Sequence, residues 1–170
     1  MILLTGDGKG KTSSALGMVL RAVGHGLRVC VIQFIKQSAD TGEARALRLL
    51  PGVDLHICGN GFVFPSDAAT VREQHCAAAG GGLARAREKL ADPHIGMVVL
   101  DELCSAVALG LLPEQAVLDC LRAAPGGKII VLTGRDAPQA LIDLADTVSH
   151  IHELKHGFYA NLPARPGVEF

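Results

Sequence analysis

The sequence has few aromatic residues, a nearly balanced charge and no long apolar run. Its 170 residues include 4% aromatics, one tyrosine and no tryptophan, so we expect an aliphatic core. Sixteen basic and seventeen acidic residues leave a formal net charge of −1, which offers no overall positive field for a long nucleic acid. No apolar stretch reaches the ~18 residues of a membrane span, and no basic leader precedes the first apolar residues. We therefore expect a cytoplasmic protein that binds neither nucleic acid nor membrane.

The cysteines fit no disulfide or zinc framework. They are five in number, at positions 30, 58, 76, 104 and 120, and none forms a CxxC pair. An odd number of widely spaced cysteines argues against both disulfide pairing and a zinc knuckle. The sequence predicts free thiols that are mostly buried.

What the sequence does contain is typical of a single globular domain. Hydrophobic residues make up 49% against 19% charged, with a mean hydropathy of +0.32. That balance excludes disorder and favours elements that are buried on both faces. Because 170 residues are close to the length of one domain, we expect residues 1–170 to form one unit.

Short aliphatic runs alternate with segments of helical spacing, as in a parallel sheet wrapped by helices. The predicted strands are residues 2–5, 28–35, 53–58, 95–101, 128–133 and 147–154. We therefore predict an α/β fold with a mostly parallel six-stranded sheet and helices on both faces. A helix is also predicted over 66–91, although the glycines at 80–82 each cost ~1 kcal/mol relative to alanine. They predict a kink or a close helix contact.

The strongest motif lies between the first strand and the first helix, where residues 5–13 read TGDGKGKTS. Glycines there let backbone amides face phosphate oxygens, the helix N-terminus adds its positive dipole end, and Lys11 adds a charge. Thr12 is placed to bind Mg²⁺ through its hydroxyl. The usual GxxxxGK[ST] spacing begins at Thr5, so the loop is a variant. Its predicted nucleotide-binding residues are Gly6, Asp7, Gly8, Lys9, Gly10, Lys11, Thr12 and Ser13.

Polar residues also follow the other predicted strands, where an open α/β sheet binds its ligands. These residues are Gln33, Lys36, Asp101, Glu102, Thr133 and Arg135. With the loop they predict a phosphate and metal site, in which Thr12, Asp101 and Glu102 hold the metal. Glu102 alternatively acts on a nucleophile. Judged singly, each later position is equally a solvated turn, and a helix cap is the lesser alternative for Asp101.

Two of the few aromatic residues, Phe62 and Phe64, lie in the turn-rich stretch at 59–65. Aromatic side chains in a loop suggest a wedge or a platform for a flat ligand. Plugging the core is an equal alternative. His150 and His152 alternate along the last predicted strand, but without a third ligand they predict structural histidines.

The chain resembles the P-loop ATP:corrinoid adenosyltransferases. The stretches that carry the resemblance are GDGKGKTS at 6–13, RAVGHG at 21–26, VIQFIK at 31–36, TGE at 41–43, GFVF at 61–64, VVLDEL at 98–103, LTGR at 132–135, ADTVS at 145–149 and the ending from 155 to 170. They occur in order over nearly the whole chain. Together they are far more specific than a generic phosphate loop.

The resemblance implies a RecA-like P-loop NTPase architecture and a homodimer. It implies transfer of the 5′-deoxyadenosyl group of ATP to the Co(I) of cobalamin, or of a precursor such as cobyrinic acid a,c-diamide, with release of tripolyphosphate. That reaction serves cobalamin biosynthesis or salvage. It further implies Mg²⁺ or Mn²⁺, a corrinoid as acceptor and a flavoprotein reductant.

The resemblance also implies roles for individual residues. Lys11, Thr12 and Glu102 take catalytic roles, while Gln33, Arg21 and Arg135 bind the nucleotide. Phe62 and Phe64 match the aromatic corrinoid segment, where a ring displaces the lower axial ligand of Co(II) and eases its reduction. The second aromatic is often larger than Phe64, so its part is less firmly implied.

Two alternatives belong to other classes of protein. A P-loop ATPase or small-molecule kinase would use the same loop with Asp101 and Glu102 as metal and hydrolytic carboxylates, and would release ADP. A carrier that binds nucleotide or corrinoid without turnover would also need the loop and the aromatic turn. The reaction products separate these readings.

Overall fold

The computed structural model describes residues 1–38 and 40–168 and contains a six-stranded sheet in which every pairing is parallel. The strand order is β3-β2-β4-β5-β1-β6. The strands are β1 (Ile2–Thr5), β2 (Val29–Gln33), β3 (Val53–Ile57), β4 (Met97–Asp101), β5 (Ile129–Thr133) and β6 (Thr147–His150). The predicted α/β fold is confirmed, and so is each of the six predicted strands.

Helices cover both faces of this sheet. They are α1 (Lys11–Gly24), α2 (Gly42–Leu49), α3 (Ala69–Ala91), α4 (Leu103–Ala108), α5 (Glu114–Arg122) and α6 (Gln139–Leu144), with a 3₁₀ helix at Gly157–Ala160. Val19 of α1 and Leu47 of α2 belong to the core on one face. Leu83 of α3, Leu118 of α5 and Leu141 of α6 belong to the core on the other. Among the described residues, no helix combines the length and the apolar character that crossing a bilayer requires.

The topology brings four strand ends together at one edge of the sheet. Because parallel strands share a direction, the carboxyl ends of β2, β4, β5 and β1 lie side by side. The register pairs Gln33 with Asp101, the last residues of β2 and β4. It also pairs Leu4 with Thr133, so the loop after β1 starts beside the end of β5. The polar residues that follow these strands therefore converge, as the sequence predicts.

The last strand is shorter than the predicted 147–154 and ends at His150. Beyond it, the backbone of Ile151 forms two hydrogen bonds, one with the last residue of β1 and one with the loop that follows. Its amide donates to the Thr5 carbonyl and its carbonyl accepts from the Gly8 amide, both at 2.8 Å. His152 therefore lies outside the strand, and the expectation that it shares a strand face with His150 is wrong.

The glycine triplet of α3 marks a close contact. The helix runs unbroken from Ala69 to Ala91. A Cβ on Gly82 would lie 3.0 Å from the Cβ of Cys58 and 3.0 Å from the Phe34 ring, whereas Gly80 and Gly81 face open space. Of the two predicted outcomes, the structure therefore contains the close contact, at Gly82.

We expect Gly82→Ala to lower the free energy of unfolding by about 1–3 kcal/mol, because the added methyl overpacks a filled site. Gly80→Ala is the matched control and should raise that free energy by up to ~1 kcal/mol, since it gains helix propensity without a clash. Urea denaturation of both variants measures the two effects. Equal stabilisation by both substitutions would contradict the contact.

Candidate active site

The loop between β1 and α1 is held in a conformation that depends on glycine. Gly6 and Gly10 have φ values of +99° and +122°, a region that favours glycine. A Cβ on Gly8 would lie 2.8 Å from the carbonyl oxygen of Ile151. The Gly8 amide is bonded to that oxygen, so an anion would use the first amides of α1 instead, which have no intrahelical acceptor.

Lys11 holds the loop together through hydrogen bonds to its backbone. Its side chain is buried, and its Nζ donates to the carbonyl oxygens of Gly6 at 2.6 Å and Gly8 at 2.8 Å. Burial, followed by the positive charge of Arg135, lowers the pKa of Lys11 below its ordinary value. Lys11 is buried and Arg135 is exposed, and these two neighbouring cations together favour an anionic ligand.

We expect ATP binding to take up protons at alkaline pH. The pKa of Lys11 is lowered in the free protein, so at alkaline pH a larger part of the population is neutral than for an ordinary lysine. A triphosphate favours the charged form and raises that pKa, which draws a proton from solvent. Calorimetry in two buffers of different ionisation enthalpy measures the uptake, which should vanish near pH 7. In Lys11→Arg, whose side chain stays charged, uptake at alkaline pH should be absent, and persistent uptake would exclude Lys11 as its source.

Asp101 organises the other side of the site from a buried position. Its Oδ1 accepts the hydroxyls of Thr12 and Thr133, both at 2.8 Å, and its Oδ2 accepts the Gln33 amide nitrogen at 3.1 Å. Its exposed fraction is 1%. The carboxylate therefore ties together the ends of β2, β4 and β5 and the start of α1.

The donor set fits a divalent cation such as Mg²⁺, with Asp101 in an indirect part. Thr12 and Glu102 border the cavity described below, whereas the oxygens of Asp101 are already engaged by three side chains. Because the Thr12 hydroxyl donates its proton to Asp101, its lone pairs remain for a metal. The Oε1 of Gln33 is buried without a hydrogen-bond partner, which suits a metal-bound water. We predict that Thr12 and Glu102 contact the metal and that Asp101 holds Thr12.

Two cavities meet at the carboxyl edge of the sheet. The larger has a volume of about 770 Å³ and is bordered by residues 8–13 of the loop. The smaller has a volume of about 390 Å³ and a mainly apolar wall that includes Ile35, Val63, Ala108 and Leu109. Both walls contain Lys36, Phe62, Glu102 and Arg135. These four residues, called the junction below, separate the space bordered by the loop from a mainly apolar one.

Phe62 and Phe64 differ in their position relative to the cavities. Phe62 is 82% exposed and borders both. The amide of neighbouring Gly61 donates to the Ile35 carbonyl at 2.9 Å, which fixes Phe62 beyond the end of β2. Phe64 lies 6.5 Å away between ring centroids, and its amide is tied to Asp67. It borders neither cavity, so Phe62 is the better placed of the two.

Lys36 of the junction forms an ion pair with Glu43 of α2, which also borders the larger cavity. Burial alone would raise the pKa of Glu43, but its hydrogen bonds, the one with Lys36 first among side chains, bring the pKa below its ordinary value. Glu43 is therefore ionised at neutral pH and balances the charge of Lys36. Lys36 and the TGE stretch belong to the motifs of the sequence, but the sequence predicts no individual role for them.

The predicted site residues fall into three groups in the structure. Those that border the larger cavity are Gly8, Lys9, Gly10, Lys11, Thr12, Ser13, Phe62, Glu102 and Arg135. Gly6, Gln33 and Asp101 lie behind it and hold these residues in place. Asp7 and Phe64 border neither cavity. Of the closing motif at 155–170, His156 borders the larger cavity, while Glu169 and Phe170 lie outside the described residues.

Arg21 is not brought to the cavity. It lies exposed in the last turn of α1, ten residues beyond Lys11. At the rise of an α-helix this separation is about 15 Å. Within one chain the expected contact with the nucleotide is therefore not supported. The motif RAVGHG, which suggested it, instead ends the helix.

A second polar cluster lies away from the cavities, between β2, β3 and α3. The side chains of Cys30, Asp54 and His56 come close enough to suit a metal. The Lys89 ammonium already lies 2.6 Å from the Asp54 carboxylate, however, and takes the place of a cation. Burial raises the pKa of the Cys30 thiol to about 12. We interpret the cluster as an ion pair beside a neutral thiol, in keeping with the predicted free cysteines.

Comparison with known proteins adds a match over the whole chain. Residues 1–170 match the family model described as ATP:corrinoid adenosyltransferase BtuR/CobO/CobP. A corrinoid adenosyltransferase of Pseudomonas aeruginosa is 43% identical over 171 residues, which covers 100% of this chain and 83% of that protein. Corrinoid adenosyltransferase CobA of Salmonella typhimurium is 41% identical over 170 residues, which covers 100% and 85%. The corrinoid adenosyltransferase of Escherichia coli is 38% identical, with the same coverage.

Proposed function

Because this chain belongs to the ATP:corrinoid adenosyltransferase family, we propose that it transfers the 5′-deoxyadenosyl group of ATP to the Co(I) of a reduced corrinoid. The observation that carries the proposal is the junction, where a space bordered by the phosphate loop opens into an apolar one. A triphosphate in the larger cavity would direct its nucleoside toward that opening. The acceptor, cobalamin or a precursor, would approach from the apolar side.

The reaction requires the protein to stabilise charge and requires no general base. Co(I) donates its electron pair to C5′, the cobalt–carbon bond forms, and the bond from C5′ to oxygen breaks. The electron pair of that bond leaves with tripolyphosphate. The leaving group gains negative charge, which the first amides of α1, Lys11 and Arg135 are placed to stabilise. Bound Mg²⁺ would neutralise part of the same charge, held by Thr12 and Glu102.

Positioning supplies the remaining acceleration. A nucleophile aligned with C5′ reacts far faster than one that diffuses freely. Junction residues border both spaces and can orient both reactants. Lys36 contributes a fixed cation there, and Phe62 contributes a ring on the acceptor side.

The test of this function is product analysis. The purified chain, ATP, Mg²⁺ and chemically reduced cobalamin should give adenosylcobalamin and tripolyphosphate in equal amounts. ADP and orthophosphate as the only products would reject the proposal and support a P-loop ATPase or kinase, which the adjacent Asp101 and Glu102 also suit. Corrinoid binding without any turnover would support a carrier.

We expect Phe62→Ala to slow the reaction that starts from Co(II) about 10-fold more than the reaction that starts from Co(I). The proposal assigns the Phe62 ring to displacing the lower axial ligand, which matters only while cobalt is being reduced. Phe64→Ala is the matched control, since Phe64 borders neither cavity, and it should affect both reactions weakly. Rates are measured with an enzymatic reductant for Co(II) and with prereduced Co(I). Equal losses in Phe62→Ala would contradict the wedge role.

The proposal extends to two partners. Making Co(I) requires a one-electron donor, and we propose a flavoprotein reductant. We also propose a homodimer, which is supported by apolar side chains exposed beyond β6: Leu154 at 92%, Phe158 at 75%, Tyr159 at 77% and Leu162 at 61%. Light scattering of the purified chain measures its mass in solution, and a monomer at all concentrations would reject the dimer.

A further inference from the structure

One hydroxyl links two residues of the junction. The Oγ of Ser105, in α4, donates to Oε2 of Glu102 at 2.5 Å and accepts the backbone amide of Arg135 at 2.9 Å. Ser105 borders the smaller cavity together with both partners. It has no place among the residues that the sequence motifs single out.

Glu102 needs such support because its backbone is unusual. It has a φ of +62°, in the left-handed region that a side chain rarely adopts. Its amide is held by the hydroxyl of Thr133 at 2.9 Å. Thr133 thus fixes the backbone of Glu102, while Ser105 fixes its carboxylate.

The same hydroxyl also fixes the loop that carries Arg135. Gly134 packs directly on α4, since a Cβ there would lie 2.6 Å from the Ser105 amide nitrogen. The Ser105 hydroxyl binds both the Arg135 amide, in the loop after β5, and the Glu102 carboxylate, which follows β4. One side chain therefore holds both segments. Their side chains bring a positive and a negative group to the wall shared by both cavities.

We infer that Ser105 is a positioning residue that orients the Glu102 carboxylate toward the metal-bearing triphosphate and holds Arg135 in register with it. The inference rests on the proposed function. By engaging Oε2, the serine proton restricts the carboxylate to one orientation and leaves Oε1 for a metal or its water. Losing that hydroxyl frees the carboxylate to rotate and leaves the Arg135 amide without its partner.

The test measures how Mg²⁺ changes ATP affinity, by calorimetry without corrinoid. In Ser105→Ala we expect the gain in affinity that Mg²⁺ provides to fall about 10-fold, in the range found for groups that orient metal ligands. ATP affinity without metal, which reports the contact of Arg135 with the triphosphate, should fall less than this. Ser105→Thr keeps the hydroxyl and should restore the Mg²⁺ effect. Ser149→Ala, in exposed β6, is the matched control and should change nothing.

A double-mutant cycle with Glu102→Gln separates positioning from general loosening. If Ser105 acts through the Glu102 carboxylate, Ser105→Ala should add little to the loss already caused by Glu102→Gln. Fully additive losses, or an unchanged Mg²⁺ effect in folded Ser105→Ala, would overturn the inference. Should Ser105→Ala unfold, Ser105→Cys fills the space with a weak donor and is expected to lose most of the Mg²⁺ effect. If the protein makes no adenosylcorrinoid, the proposed function is wrong. The binding measurements do not depend on that reaction, so they still decide the role of Ser105.

Discussion

Lys11→Ala is expected to lower adenosyl transfer by about 10²–10³-fold, the loss found when one stabilising group is removed from a developing anion. The substitution removes a buried cation beside the larger cavity and frees the carbonyls of Gly6 and Gly8. It therefore weakens both the charge and the shape of the loop. ATP affinity, measured by calorimetry, should fall along with the transfer rate.

A second lysine separates these effects from a general loss of stability. The Nζ of Lys128 also donates to two backbone carbonyls, those of Asp92 and Ile95, both at 2.5 Å. It lies just before β5, at the amino end of the sheet and away from the cavities. Lys128→Ala should destabilise the fold yet leave ATP affinity unchanged. Near-normal transfer in Lys11→Ala would remove the loop from the mechanism.

The predictable part of the fold follows from its simplest feature, strands buried on both faces. β2 and β4 lie inside the sheet and are buried along their whole length, so they appear in the sequence as hydrophobic runs that end in a single polar residue. The edge strand β6 is exposed throughout, and its end was predicted least well. Its limit depends on the bond between Gly8 and Ile151, which no local pattern encodes.

The candidate site was predictable where it depends on local conformation. The loop at residues 6–12 needs glycines and a helix start in sequence, so its motif is visible in one short stretch. The paired acids at the end of β4 are visible for the same reason. The match over residues 1–170 confirms the resemblance that these motifs carry.

The remaining site residues depend on contacts between distant elements. Ser105 lies in α4 and binds the amide of Arg135 in the loop after β5, 30 positions away. A serine in a short helix gives no sign of such a contact in the sequence. Arg21 shows the reverse case, since its motif predicts a site residue, whereas within one chain the length of α1 places it away from the cavity. Its contact with the nucleotide stays a prediction. Phe62 and Phe64 share one motif, yet Phe62 borders both cavities and Phe64 borders neither.

Asp101→Asn and Asp101→Ala should differ in stability and agree in function. In the asparagine variant, Oδ1 still accepts the hydroxyls of Thr12 and Thr133, which both point at that oxygen in the native chain. The new amide nitrogen faces the Gln33 amide nitrogen, and a flip of Gln33 resolves the conflict by presenting its unpaired Oε1. We therefore expect the free energy of unfolding of Asp101→Asn to lie within about 1 kcal/mol of that of the native chain.

In Asp101→Ala the donors of Thr133 and Gln33 lose their acceptor in a buried place, and the Thr12 hydroxyl loses it in a partly buried one. At about 1–3 kcal/mol for each of the two buried unsatisfied groups, the free energy of unfolding should fall by about 2 kcal/mol or more. Urea denaturation of the two variants measures this difference. Equal destabilisation by both would contradict the proposed rearrangement of Gln33.

Function should be lost in both variants, because asparagine keeps the shape of the site and removes its charge. A neutral group polarises the Thr12 hydroxyl less and no longer balances a nearby cation, so Mg²⁺-dependent ATP binding should weaken by about 10–100-fold. Transfer should fall at least as far, since the same metal would stabilise departing tripolyphosphate. An Asp101→Asn chain that keeps native Mg²⁺ dependence would mean that this carboxylate only organises the fold. The loss of metal dependence in a stable, correctly hydrogen-bonded variant would instead assign its charge to the chemistry.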